Sequence, residues 1–223
     1  MPDAQPQLAM PPDYASNYSR GEEIANTLSS AIGLVAALAA APFFLAKARH
    51  SDESLALLGA GTFLLATVIM YGASTLYHAI PPGATKHKVR LLDHSAIFVL
   101  IAGTYTPLAV GPLRHDGGLV LLALEWLLAV VGIFIKTCGG FSRRHLSNAL
   151  YLLMGWAGLF WLNSFIEHVT MDGFLWVLAG GIAYTVGIVF YLAKKRAYAH
   201  FIWHLFVFAG TCCHAYAIWR YIL

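Results

Sequence analysis

The sequence predicts an all-α membrane protein, a seven-transmembrane helix bundle with its N-terminus cytoplasmic and its C-terminus outside. Three observations carry that expectation. Of 223 residues, 59% are hydrophobic and only 11% charged, against a charged share of about a quarter in soluble domains. The apolar residues gather into seven runs near the length of about 20 residues that crosses a bilayer. Lys and Arg fall unevenly on alternate links between those runs.

Residues 1–22 are Pro-rich and polar and lack the basic-then-apolar order of a cleaved signal peptide. They are expected to form a mobile cytosolic tail, leaving 23–223 as one helical domain. The first span runs from about Asn26 to Ala46 and stops at the polar link from Lys47 to Glu53. The second covers Ser54 to His78 and ends at Pro81-Pro82-Gly83, because proline cannot continue the hydrogen-bond ladder. The third covers Leu91 to Val110, and the fourth Gly118 to Ile135. A loop from Lys136 to Arg144 leads to the fifth, His145 to Phe165. The link Glu167-His168-Val169-Thr170-Met171-Asp172-Gly173 precedes the sixth, Phe174 to Ala193. The seventh runs from His200 to Ile222.

Orientation follows from the basic residues, since translocation of Lys- and Arg-bearing loops is disfavoured. With the N-terminus inside, the cytoplasmic segments hold Arg20, Lys86, Lys88, Arg90, Lys136, Arg143, Arg144, Lys194, Lys195 and Arg196. The outer side holds only Lys47, Arg49, Arg114 and Arg220. The chain is thus expected to be a multi-pass protein of the inner or plasma membrane, with lipids as its partners. The basic residues form no aromatic-basic stripe, which argues against nucleic acid. Short loops leave no room for a soluble catalytic domain, so any chemistry must occur between helices. The oligomeric state is left open.

Several polar residues then acquire a common depth. His200 and His204 stand four apart on one helical face at the inner end of the seventh span. His78 closes the second span and Asp93 opens the third, both also at the inner end. Ser74 lies one turn above His78, roughly 6 Å along the axis, as His204 lies above His200. Three neutral imidazoles with an open fourth position is the pattern of catalytic zinc, whereas structural zinc sites are closed and usually rich in cysteine. The layer therefore reads as a Zn2+ site of His78, His200 and His204, with water in the fourth position and Asp93 in reach of it. The plain alternative is that each histidine hydrogen-bonds a loop carbonyl at the interface.

The same motifs resemble a known family. Ser74-Thr75-Leu76-Tyr77-His78, Asp93, and His200-Phe201-Ile202-Trp203-His204, in that order through seven spans, are similar to the haemolysin III proteins, the bacterial branch of the progestin and adiponectin receptor family. Tyr151 to Trp156 and His204-Leu205-Phe206-Val207 fit that branch, and the likeness runs from Glu22 to Leu223. It implies that His78, His200 and His204 bind zinc near the cytoplasmic face, that Asp93 neighbours the metal-bound water, and that Ser74 supports it. The first-span pattern from Glu23 to Ser29 also fits, but Ser30 stands where the likeness leads one to expect a histidine.

Outside that layer, Glu125 and His214 share a depth near the outer face and would pair if their helices touch. His94 points about 100° from Asp93 and is expected at the membrane interface. Cys138, Cys212 and Cys213 show neither a CxxC spacing nor a disulfide framework and read as small, buried packing residues. Trp126, Trp156, Trp161, Trp176, Trp203 and Trp219 read mostly as belt and core, and Gly180, Gly181 and Gly187 as sites of close helix packing.

Three functions follow as expectations. The first is a zinc-dependent, ceramidase-like hydrolase of amide or ester bonds in membrane lipids, with Asp93 and Ser74 as its catalytic residues. The second is a non-enzymatic sensor of lipids or membrane fluidity. The third is the pore-forming haemolysin of the family's name. A pore should carry polar residues along its whole length, whereas here they gather near one face.

Overall fold

The computed structural model describes residues 18–139, 144–193 and 195–223, and within them the chain is helical. Its helices are α1 (Arg20–Arg49), α2 (Ala56–Ala79), α3 (Ala84–Val110), α4 (Leu119–Gly139), α5 (Arg144–Trp156), α6 (Leu162–Leu192) and α7 (Ala199–Ala217). Consecutive helices pack side by side, and α7 closes the arrangement by packing on both α6 and α1. In a bilayer every backbone polar group must be satisfied within the segment, and helices achieve this locally. Among the described residues, six stretches are long and apolar enough to cross a membrane.

The expected fifth and sixth spans fall in one of those stretches, His145–Leu192. It is not one straight rod. Thr170 has φ 73° and ψ 156°, outside the helical region. Trp156 Nε1 donates to Thr185 Oγ1 at 3.1 Å, although 29 residues of straight helix would hold them about 43 Å apart. The chain therefore folds back at Thr170, which stands midway between the two partners.

Helix starts differ from the expected spans. Ser19 accepts from the Glu22 backbone N–H, and the Glu22 carboxylate accepts from the Ser19 N–H, a reciprocal cap that begins α1 at Arg20. Residues 20–22, expected in the tail, are its first turn; residues 1–17 lie outside the described residues. Likewise α3 begins at Ala84, seven residues before the apolar run. The loop expected at Lys136–Arg144 falls partly outside the described residues, and its start continues α4 to Gly139.

The core divides by depth. At one end Phe44, Phe63, Leu108, Leu121 and Ile222 pack together, and one layer inward Met70, Tyr71, Leu100, Trp203 and Val207 do so. Ile24, Leu28, Ile32, Val35 and Phe43 of α1 point outward and are more than half exposed, a face suited to lipid. Close approach of α6 to α7 requires glycine at position 180, where a Cβ would lie 2.3 Å from the His214 ring. Gly187 is similarly pressed on Trp203, but Gly181 has nothing nearby and borders a cavity.

Three expectations about side chains are corrected. Cys138 and Cys212 are exposed and Cys213 half-buried, so they face outward rather than into the core. His94 is buried beneath Tyr191 instead of lying at the interface. Glu125 and His214 do not pair, because α4 borders α3 and α5 while α7 borders α1 and α6. His214 Nε2 instead donates to the Val177 carbonyl at 3.0 Å. Glu125 is fully buried with both carboxyl oxygens unpartnered.

A buried polar group without a partner costs about 1–3 kcal/mol. Glu125→Leu is accordingly expected to raise the unfolding temperature in detergent micelles by roughly 2–10 °C for a chain of this size. A fall in that temperature would show that the carboxyl has a stabilising partner in the membrane.

A candidate metal centre

The site lies at one end of the bundle, where α2 finishes and α3 and α7 begin. Tyr198 adopts the left-handed conformation (φ 58°) immediately before α7, and its N–H donates to the Glu22 carboxylate at 2.9 Å. This ties the start of α7 to the start of α1 and sets His200 and His204 on the first turns of α7. His78 comes from the last turn of α2, with Ser74 one turn before it.

The three histidines expected to act together do come together. Their rings form a triangle with centroids 5.1 Å (His78–His200), 5.1 Å (His78–His204) and 4.6 Å (His200–His204) apart. One ligand atom from each lies within 4.8 Å of the others, a group able to hold a metal ion. His78 and His204 are buried and His200 half-buried.

Hydrogen bonds fix which nitrogens face inward. His78 Nδ1 lies 2.7 Å from Glu23 Oε2, and a carboxylate only accepts, so Nδ1 carries the proton. The other Glu23 oxygen pairs with Lys86 Nζ at 2.9 Å, and Lys86 also donates to the Ile80 carbonyl. Ser29 donates its hydroxyl hydrogen to the Asn26 carbonyl and therefore accepts from His204 Nδ1 at 2.9 Å. Both imidazoles thus turn Nε2 inward. His204 Nε2 faces His200 Nε2 at 3.1 Å, while His78 Nε2 is buried with no partner. An unpartnered ring nitrogen beside two imidazoles fits a cation, and the Glu23 carboxylate behind His78 and the Ser29 hydroxyl behind His204 orient those rings as a metal-ligating histidine requires.

Asp93 and Ser74 join the same layer. Asp93 is buried, within hydrogen-bonding reach of Ser74 and beside the His78 ring. Ser74 Oγ lies 2.9 Å from Ser30 Oγ, which in turn lies 3.2 Å from His204 Nδ1. A run of hydroxyls therefore joins the carboxyl to the third imidazole. Position 30, where the motifs led one to expect histidine, faces the centre as a serine.

Sequence reasoning assigned no role to Glu23, Ser29 or Tyr18. The available signal was a set of polar residues on one face of an apolar helix, Glu23, Asn26 and Ser30. Tyr18 precedes the helix and stacks on His200 with ring centroids 5.0 Å apart. Burial, and then the neighbouring Tyr77 and Tyr191 phenols, hold its hydroxyl well above the ordinary value, so it stays neutral. Lys86, counted as a loop base, is instead buried against Glu23.

Further along the bundle is an apolar cavity of about 130 Å³, bordered by Ile97, Leu100, Tyr151, Tyr184, Trp203 and Val207 among others and reaching to His214 and Ile218. Ile97 is one turn from Asp93, and Trp203 adjoins His204. Chemically, the end of the bundle offers a metal-binding nitrogen set and a carboxyl, and the cavity comes nearest to them in the chain at Ile97 and Trp203.

A family model described as Haemolysin-III related matches residues 18–215, which include every residue of this layer. The chain belongs to the haemolysin-III-related family. It is 37% identical over 202 residues to the Hemolysin-3 homolog of Bacillus subtilis (strain 168), covering 90% of this chain and 94% of that one. Hemolysin-3 of Bacillus cereus is also 37% identical, over 204 residues, 91% of this chain and 92% of its own. A more distant likeness, 21% over 227 residues, reaches the adiponectin receptor protein of Drosophila melanogaster, covering 88% of this chain and 50% of the receptor. As a haemolysin-III-related protein with six stretches able to cross a membrane among its described residues, it is a multi-pass membrane protein.

Proposed function

We propose that this protein is a zinc-dependent hydrolase of amide or ester bonds in membrane lipids, acting in lipid homeostasis. The observation that carries the reading is the unpartnered His78 Nε2, buried in a group with two further imidazoles that could hold a metal ion. Bound there, zinc supplies Lewis acidity toward water and toward a lipid carbonyl. Asp93 is the group placed to take a proton from the attacking water, and Ser74 holds its carboxyl in register. The cavity takes the acyl chain and keeps bulk water from the reacting end.

The membrane arrangement belongs to the same reading. Turning at Thr170 gives two rods, residues 144–169 and 171–192, each about 33–39 Å long and able to cross a hydrocarbon core of about 30 Å. Seven crossings then place the metal layer at the cytoplasmic side and the C-terminus outside. A reporter fused after Leu223 is expected to be external and one after Arg144 cytosolic; the reverse labelling would overturn the orientation.

The lytic reading taken from the relatives' names is disfavoured by the apolar character of the middle of the bundle, where Met70, Leu100, Trp203 and Val207 offer no polar lining to water or ions. Lipid profiling of cells lacking or overproducing the protein tests the hydrolase. Overproduction should release fatty acid and deplete one lipid pool, and His204→Ala should abolish both changes. Identical lipid profiles in all three strains would reject it.

A further inference from the structure

A groove of about 600 Å³ lies beside the first turns of α1, a volume in the range of small-ligand sites. Arg20, Ile24 and Leu28 line it, and their spacing of four puts all three on one face of the helix. Arg20 stands at the helix start, with Ile24 and Leu28 following at roughly 6 and 12 Å along the axis. Both aliphatic side chains are more than half exposed, on the face of α1 suited to lipid. The charges that share this lining are matched to one another, Arg20 excepted. One Glu23 oxygen pairs with Lys86 at 2.9 Å and the other meets His78 at 2.7 Å. Among the described residues no carboxylate pairs with the Arg20 guanidinium.

The groove thus offers an unmatched cation at the end of an apolar stripe that continues onto the lipid-facing surface. An amphiphile with an anionic head and a hydrocarbon tail carries the complementary pattern. Guanidinium is a planar fork that meets two phosphate oxygens at once, and bases at a membrane boundary attract anionic lipid heads. We propose that this groove binds an anionic glycerophospholipid, its phosphate on Arg20 and one acyl chain laid along Ile24 and Leu28. This seat shares no lining residue with the apolar cavity described above, and lipid bound there need not be hydrolysed.

Three probes test this on purified protein in a nonionic detergent: dioctanoyl phosphatidylglycerol, dioctanoylglycerol, which keeps the chains without the phosphate, and glycerol 3-phosphate, which keeps the phosphate without the chains. Affinities come from ligand-dependent rises in unfolding temperature. The wild type is expected to bind phosphatidylglycerol about tenfold more tightly than either fragment, the share of one charge-assisted contact. Arg20→Gln should lose about that factor and Arg20→Glu more. Both should unfold with the wild type when no ligand is present, because Arg20 is exposed and unpaired among the described residues. Arg114→Gln removes a cation at the opposite end of the bundle and should bind as the wild type does. Equal affinity for phosphatidylglycerol and dioctanoylglycerol overturns the proposal in favour of a merely apolar surface, and equal affinity for glycerol 3-phosphate in favour of a free-phosphate site. So does binding that survives in both Arg20 variants or falls equally in Arg114→Gln. Failure of both Arg20 variants to fold overturns it too, since Arg20 would then be a structural residue.

Discussion

Wild-type protein is expected to emerge from purification with about one zinc per chain, and His204→Ala protein with little metal. The substitution removes one of three imidazoles and empties a pocket whose Ser29 and Ser30 hydroxyls were arranged around its Nδ1. Losing a hydrogen-bond partner behind a ligand typically costs 10–100-fold in metal affinity, so losing the ligand itself should cost more than about 100-fold. Glu23→Gln supplies the graded comparison. It should keep the ion at saturating zinc but bind it roughly 10–100-fold more weakly, because the His78 proton then meets a neutral amide oxygen. A metal bound only by the folded protein stabilises it by about 2.7 kcal/mol at a hundred times its Kd. Chelation should therefore lower the wild-type unfolding temperature by roughly 5–10 °C and leave His204→Ala unmoved. Elemental analysis decides the matter: full zinc in His204→Ala would sink the ligand assignment.

Asp93→Asn is expected to keep the metal and the fold while losing turnover of lipid by about 10²–10⁴, the usual contribution of a positioned general base. Asparagine has nearly the same shape, can still meet the Ser74 hydroxyl, and leaves the three imidazoles untouched. It cannot take up a proton. Fatty acid release from zinc-loaded protein in lipid nanodiscs, alongside metal content, separates the two effects. Loss of both metal and turnover would make Asp93 part of the ion's binding set. If wild-type protein releases no fatty acid from any lipid pool and Asp93→Asn still supports the cell's membrane phenotype, the protein is a sensor and its metal is structural or regulatory.

Much of the site could be read from the chain because it is made of local spacing. His200 and His204 share a face at any depth, and Ser74 and His78 do the same, since helical periodicity alone fixes them. The ends of apolar runs then set the layer in which those faces meet. The polar link from Glu167 to Gly173 marked where the fifth span gives way to the sixth, but the turn within it is a single backbone conformation at Thr170 that periodicity does not reveal.

Composition and periodicity determined that the chain is helical and membrane-embedded, and motif spacing determined which histidines belong together. Tertiary structure decided what stands behind them. Glu23, Asn26 and Ser30 lie 48 or more residues from the nearest histidine of the centre, and only the packing of α1 against α2 and α7 brings them to it. It also separated Glu125 from His214, whose equal depth had suggested a pair. Depth follows from position along one helix, whereas contact depends on which helices are neighbours, and that is settled by side-chain packing between segments far apart in sequence.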